Sequence, residues 1–261
     1  MPAPESLLDA VSGIAADAGR IALGRQREEF RRWEKEPGHP VCEVDLELDV
    51  LLRERLSALD PDAGWLSEET VDSAERLLGV RTWVVDPIDG TRDFLRGRPG
   101  WSVSIALVEG GRPLIGVLDA PGRGEHWRAL AGTGATRNGR PIRVSGRTAF
   151  PGSRVPADSL PRRDSDLVPV AKPNSIALRI AMVAAGEADL LATLRWGHEW
   201  DIAAAALIAQ EAGATVTDAL GRPLRYNSTK GEAFGVLAAT PGIHAAAIER
   251  LADRATTAVV R

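Results

Sequence analysis

Asp86-Pro87-Ile88-Asp89-Gly90-Thr91 is the densest run of potential chemistry in the chain. Thr82 to Val85 is β-branched and aromatic, so a buried strand would deliver Asp86 at its C-terminal end. Pro87 keeps Asp86 extended, because the residue before a proline avoids helical angles. A tight turn can then bring Asp89 back beside it. Two carboxylates that close repel unless a cation stands between them, and hard oxygen ligands without sulfur or imidazole suit Mg²⁺. The Gly90 and Thr91 amides open the next segment, and exposed amides of that kind bind an anion. An Asp-Pro turn with an aspartate cap is the plainer reading of the same string, but it leaves the apolar strand feeding the turn without a purpose.

Three further carboxylates stand in comparable positions. Ser67-Glu68-Glu69 follows the short apolar strand begun by Trp65-Leu66; Glu69 reads as solvated, whereas Glu68 joins a site if it faces the first turn. Trp200-Asp201 opens a helix over Ile202 to Ala212, where Asp201 could equally be an N-cap worth roughly 1 kcal/mol. Asp45 lies one turn into a helix after Val41-Cys42-Glu43-Val44, a place that the helix macrodipole also favours for an acid.

The elements that must position these residues are legible in outline. Leu7, Val11, Ile14, Ala18 and Ile21 predict an amphipathic helix running to about Arg32. Glu34 to Pro40, with two prolines and a glycine, breaks it. Val44, Leu48, Leu51, Leu52 and Leu59 predict a second helix, stopped at Asp60-Pro61-Asp62-Ala63-Gly64. Ser102 to Val108 and Pro113 to Leu118 read as a hairpin, and two short strands flank Gly132 to Gly139. Pro151 to Asp166 reads as a surface loop, Ser175 to Gly186 and Asp201 to Gly213 as helices, and Ala233 to Ala239 as one buried strand. Strands and helices mix without strict βαβ alternation, so the expectation is layered α+β followed by α/β. The boundary falls near residue 150, giving an N-terminal part over 1–150 and a C-terminal part over 151–261.

Bulk properties exclude several classes. With 261 residues, 44% hydrophobic and 26% charged, the chain can bury a sizeable core. A net charge of −4 without a block of like charge argues against a nucleic-acid polymer or a membrane surface as partner. Cys42 is the single cysteine, so neither an internal disulfide nor a thiolate cluster is possible, and the four histidines lack zinc spacing. No apolar run approaches the roughly 18 to 20 residues of a bilayer span. Met1 to Gly19 carries Glu5, Asp9 and Asp17 and does not read as an export signal. A cytoplasmic setting is the expectation.

Taken together, Lys35…Pro40-Val41-x-x-x-Asp45, Ser67-Glu68-Glu69, Asp86-Pro87-Ile88-Asp89-Gly90-Thr91 and Trp200-Asp201-x-Ala203-Ala204 resemble the inositol monophosphatase superfamily. Gly116-Val117-Leu118, Gly132-x-Gly134-Ala135…Asn138-Gly139 and Glu211-Ala212-Gly213-Ala214 extend the likeness over nearly the whole chain. The resemblance implies a layered α-β-α-β-α sandwich and a phosphatase using two or three Mg²⁺ ions. It places metal ligands at Glu68, Asp86, the Ile88 carbonyl, Asp89 and Asp201, and activation of the attacking water at Thr91 with Asp45 or Glu68. Phosphate contacts fall on the Gly90 and Thr91 amides, and a basic residue near the entrance on Lys35. Cys42 departs from the family's usual threonine, and Pro173-Asn174-Ser175 departs from Gly-Ser or Gly-Thr, which bears on a substrate contact at Ser175. Homodimers are common among such proteins, so a homodimer is a possible assembly.

Leu194-Arg195-Trp196-Gly197 and Ser153-Arg154 are similar to the bacterial CysQ-type 3′(2′),5′-bisphosphate nucleotidases. That likeness implies a second phosphate held by Arg195 and Arg154 as bidentate forks and a base stacked on Trp196. The expected substrate is 3′-phosphoadenosine 5′-phosphate, with inositol-1-phosphate as the alternative. The plainer reading leaves the arginines on the surface and Trp196 in the core. A haloacid-dehalogenase nucleophile motif would need one residue fewer between the two aspartates, and that slip would misplace its general acid. A non-catalytic metabolite-binding protein is the remaining class.

Overall fold

The computed structural model describes residues 4–36 and 38–260; Pro37, one of the expected helix breakers, lies outside them. Two helices open the fold, α1 (Pro4–Arg25) and α2 (Glu43–Leu59), separated by the hairpin of β1 (Arg32–Glu36) and β2 (His39–Cys42). A seven-stranded sheet follows: β3 (Gly64–Ser67), β4 (Arg81–Asp89), β5 (Ser102–Glu109), β6 (Arg112–Ala120), β7 (Glu125–Leu130), β8 (Ala135–Arg137) and β9 (Arg140–Pro141), in that spatial order. Only β3 and β4 run parallel; every other neighbouring pair is antiparallel. The short helix α3 (Thr91–Leu95) lies between β4 and β5.

The pleat sorts this sheet into two apolar faces. Trp83, Val85, Ile105, Leu107, Ile115 and Val117 pack with Leu7, Val11, Leu48, Leu52 and Leu56 of α1 and α2. Their alternates Val84, Ala106, Val108 and Leu118 face the opposite way, onto α4 (Ile176–Ala184) and α5 (Ala203–Glu211). A sheet buried on both faces needs continuous apolar strands, and eight of the nine residues of β4 are buried. α5 seats directly on β6: a Cβ at Gly116 would stand 2.6 Å from the Ala204 carbonyl oxygen, so only glycine permits that approach.

Beyond α4 and α5 lies a second sheet of three antiparallel strands, in the order β12 (Leu190–Ala192), β16 (Leu237–Ala239), β14 (Thr215–Thr217). Leu191, Val216 and Ala238 face the helices inside. Leu190, Leu237 and Ala239 face α6 (Pro241–Val259), through Ile243, Ala247 and Leu251. Two small pairs complete the fold: β10 (Arg154–Pro156) with β11 (Val168–Val170), and β13 (Trp196–His198) with β15 (Glu232–Phe234). The stack is therefore helix, sheet, helix, sheet, helix, as the resemblance implied.

Two local expectations differ. α1 ends at Arg25 rather than near Arg32, because Arg32 to Glu36 pairs across a hairpin with His39 to Cys42, Trp33 opposite Val41. Ala233 to Ala239 is not one strand: Phe234 pairs opposite Trp196 while Leu237 to Ala239 enters the three-stranded sheet, so the chain changes sheets at Gly235-Val236.

Candidate active site

β4 does not stop at Val85 but carries Asp86 and Asp89 within it, with the pairing to β5 interrupted between Asp86 and Asp89. The irregularity is an Asx turn: Asp86 Oδ1 accepts from the Ile88 amide at 2.9 Å. Asp89 then opens into α3. Gly90 takes φ +99°, and a Cβ there would stand 2.8 Å from both the Gly100 carbonyl and the Ser175 amide. Glycine lets the loop bearing Ser175 close over the turn.

Ser175 is the residue whose role changes most. Its hydroxyl donates to Asp89 Oδ2 at 2.5 Å, accepts from the Leu178 amide at 2.9 Å as N-cap of α4, and lies 3.2 Å from the Ser102 hydroxyl. The Ile176 and Ala177 amides donate to Asp89 as well, at 3.2 and 2.7 Å. Ser175 is fully buried, so it holds a carboxylate and has no surface left for a substrate, contrary to expectation.

Glu68 follows β3 and its amide donates to the Val85 carbonyl, at 3.3 Å. Asp49, on the inner face of α2, accepts from the hydroxyls of Ser67 and Thr70 and so fixes that strand end from behind. Lys35 pairs with Glu69 Oε2 at 2.6 Å, lies 3.9 Å from Glu68 Oε1, and donates to the Glu68 carbonyl at 3.2 Å. Glu69, expected to be solvated, has a side chain only 2% exposed because it is the buried half of that pair. Asp201 precedes α5 rather than capping it, since Ile202 is the N-cap. The Trp200 carbonyl accepts from Ser104 on β5, tying the segment to the sheet, and the His198 amide donates to Asp201.

Asp45 occupies the third position of α2 in a capping box. Its Oδ2 accepts from the Cys42 amide at 2.8 Å, and the buried Cys42 thiol faces the Asp45 amide in return. The Thr91 hydroxyl donates to the Ile88 carbonyl at 3.1 Å. Thr91 and Asp45, expected to act as a pair, make no hydrogen bond to each other among the described residues.

The charges of these side chains act on one another. Asp86 is pushed well above the usual carboxylate range, first by burial and then by the charges of Glu68, Asp89 and Asp201, and Asp201 likewise by burial and then by Asp89 and Glu68. Glu68 is raised by burial, countered by Lys35 and reinforced by Glu69, Asp45 and Asp89. Burial raises Asp45 to about 7 against the opposing pull of Cys42. Asp89 is raised by burial and partly relieved by Ser175, the two α4 amides and Arg179. Glu68, Asp89 and Asp201 thus all lie near enough to Asp86 for their charges to be felt there. Uncompensated carboxylates in a dry site are costly, and the donor chemistry, all oxygen, fits a hard divalent cation such as Mg²⁺. Among the described residues, however, no three acidic, histidine or cysteine side chains already stand as a closed metal-binding set.

The basic residues divide. Arg195, exposed and without a hydrogen-bond or ion-pair partner among the described residues, lines a small cavity together with Asp201, Ile176 and His198. Arg179 of α4, which the sequence did not single out, donates to the Pro173 and Asn174 carbonyls and lies close enough to Asp89 and Arg195 to feel both charges. Its apolar-looking helix gave no signal beyond the arginine itself. Arg154 is a correction: its guanidinium grips Asp189 at 2.8 and 3.1 Å and donates to the Gly186 carbonyl at 2.7 Å, partners outside the carboxylate cluster. A group so committed has no fork free for phosphate. Trp196 is 51% exposed and is not core.

The sequence pattern of the inositol monophosphatase family matches residues 3–257. A fructose-1,6-bisphosphatase/inositol-1-monophosphatase of Thermotoga maritima is 36% identical over 190 residues, covering 70% of this chain and 72% of the relative. A 3′(2′),5′-bisphosphate nucleotidase CysQ of Aggregatibacter actinomycetemcomitans is 32% identical over 249 residues, 87% of this chain and 89% of the relative. The solved structure of a Thermotoga maritima IMPase superposes with a TM-score of 0.83 at 29% identity, covering 96% and 98% of the two chains. No helix of the described residues is long and apolar enough to cross a membrane. Fold, motif order and these likenesses agree: the chain belongs to the inositol monophosphatase family of phosphatases.

Proposed function

We propose that the protein is a Mg²⁺-dependent phosphomonoesterase acting on a small soluble metabolite. The observation that carries this reading is the convergence of Glu68, Asp86, Asp89 and Asp201, mutually repelling and largely buried, beside the open N-terminal amides of α3. Glu68, Asp86, Asp89, Asp201 and the Ile88 carbonyl would hold two or three Mg²⁺ ions. Bound there, Mg²⁺ neutralises phosphate oxygens and makes a water molecule more acidic. The Gly90 and Thr91 amides, which have no intrahelical acceptor, receive the phosphate. Asp45 or Glu68 takes the proton of the attacking water and Thr91 orients that water, so no phosphoenzyme forms. Lys35, anchored on Glu69 and the Glu68 carbonyl, sets one wall of the entrance.

For the substrate we favour 3′-phosphoadenosine 5′-phosphate. Arg195, whose guanidinium is uncommitted among the described residues, borders the cavity that holds Asp201 and lies within range of the charge of Arg179, so a second phosphate would take bidentate contacts from Arg195 and relieve that repulsion. Inositol-1-phosphate is the second reading, favoured by the 36% identical relative whose activities include inositol-1-monophosphatase. Phosphate release from both compounds, with and without Mg²⁺, tests the proposal. Asp89→Asn should abolish Mg²⁺-dependent turnover while circular dichroism stays native; full activity in that variant would refute the site.

A further inference from the structure

Glu68 and Asp201 come from separate parts of the fold: Glu68 follows the edge strand β3, and Asp201 lies between β13 and α5. Two buried charges outside the carboxylate cluster stand between these elements. Arg76 is 3% exposed, and Glu199, two residues before Asp201, is wholly buried. Arg76 belongs to the short 3₁₀ helix Ala74–Leu78, which lies directly on β3: a Cβ at Gly64 would stand 2.8 Å from the Arg76 Cα. Its guanidinium donates to the Asp72 carboxylate at 2.6 and 2.8 Å, to the Ser228 carbonyl at 2.8 Å and to the Asn227 side-chain oxygen.

Glu199 binds the same two residues through their main chain. Its carboxylate accepts from the Asn227 amide at 2.5 Å and from the Ser228 amide at 3.0 Å, and its own amide donates to the Gly231 carbonyl at 2.9 Å. Asn227 takes φ +58°, as in the nests whose successive amides meet on one anion; here the anion is the chain's own carboxylate. The loop then returns to β3, where a Cβ on Gly231 would stand 3.2 Å from Leu66, two residues before Glu68. Stability alone does not call for such a device, because buried ion pairs replaced by apolar groups often leave a protein equally or more stable. Directional bonds between rigid parts supply something else, a fixed separation. Mg²⁺ needs near-ideal octahedral geometry at about 2.0–2.1 Å, so ligands drawn from two parts of a fold must be held to fractions of an ångström.

We infer that Arg76, Asn227 and Glu199 form a latch that sets the separation of Asp201 from Glu68, and so act as positioning residues for the cation site. The inference rests on the phosphatase reading of that site. The test is calorimetric titration with Mg²⁺ alone, joined to kcat and KM, for the wild-type protein, Asn227→Gly, Arg76→Lys and Arg154→Ala. Asn227→Gly removes the acceptor of the latch and keeps the left-handed angle; Arg76→Lys keeps the charge and loses the fork. Outer groups that orient metal ligands are worth about 10–100-fold in metal affinity, so each latch variant should bind Mg²⁺ about tenfold more weakly. At a fixed Mg²⁺ concentration kcat should fall while KM for the phosphate ester stays. Arg154→Ala, the control, should lose stability and keep the wild-type Mg²⁺ affinity, which is how a merely structural residue behaves. Unchanged Mg²⁺ affinity in Asn227→Gly overturns the latch, whether or not Arg76→Lys folds. If the wild-type protein itself binds no Mg²⁺, the phosphatase reading fails.

Discussion

Ser175→Ala separates a carboxylate-positioning role from a substrate contact. Three interactions disappear with the hydroxyl: the 2.5 Å bond to Asp89, the α4 cap on the Leu178 amide and the contact with Ser102. Losing a cap costs about 1 kcal/mol. A hydrogen bond to a charged group adds about 1.5–3 kcal/mol, trimmed because the Ile176 and Ala177 amides still hold Asp89. The sum is about 2–4 kcal/mol, a large share of the roughly 5–15 kcal/mol of an ordinary domain. Urea unfolding followed by circular dichroism measures it. Activity should respond through Asp89: kcat falls and the Mg²⁺ concentration for half-maximal rate rises, while KM for substrate changes little. Ser175→Thr, which keeps the oxygen, should recover most of the Mg²⁺ response. A loss below about 0.5 kcal/mol, or a rise in KM alone, would refute this account and return Ser175 to the substrate.

Arg154→Ala should cost about 2 kcal/mol of stability, below the range for a fully buried ion pair because Arg154 is partly exposed, with kcat/KM retained; a specific loss of activity on a bisphosphate would restore Arg154 to the site. Burial pushes Asp189 up, but Arg154, Ser145 and the Arg154 amide overrule it and hold the carboxyl at about 2. A depressed carboxylate stabilises above its unfolded value near 3.8 and loses that contribution as pH falls through about 2. The wild-type protein should therefore lose about 1–2 kcal/mol across that window, discounted for the partial exposure of Arg154, and Arg154→Ala should show a flatter dependence in acid unfolding curves. Cys42→Thr puts a stronger capping oxygen where the thiol faces the Asp45 amide, and should raise the urea midpoint by the equivalent of about 0.5–1 kcal/mol; destabilisation would mean that the buried pocket is shaped for sulfur.

The turn that carries Asp86 and Asp89 was legible because local sequence shapes it. A β-branched strand running into Asp-Pro and a glycine turn leaves few ways to fold, and the expected turn is present as an Asx turn inside β4, which continues through Asp89. Roles that depend on what arrives from elsewhere were not legible. Ser175 looked like a substrate contact at the start of a helix because nothing local says that Asp89, 86 residues away, will accept its hydrogen bond. Arg154 looked free because Asp189 lies 35 residues on. Glu69 looked solvated until the β1–β2 hairpin brought Lys35 onto it; Glu34 to Pro40 read only as a helix breaker, because nothing local says that such a segment will pair across a turn. Arg179 carried no motif; its relevance comes from the turn of α4 that faces Asp89.

The absence of a side chain at position 116 has a consequence for the chemistry. Because the backbone of β6 touches the first turn of α5, the distance between the large sheet and the helix that follows Asp201 is set by bare main chain, with no methyl group to act as a spacer. Gly116→Ala would not open a void or clash at the periphery. It would wedge the two layers apart, carrying one carboxylate away from the other three, so that a defect introduced in packing would be read out as a loss of cation affinity.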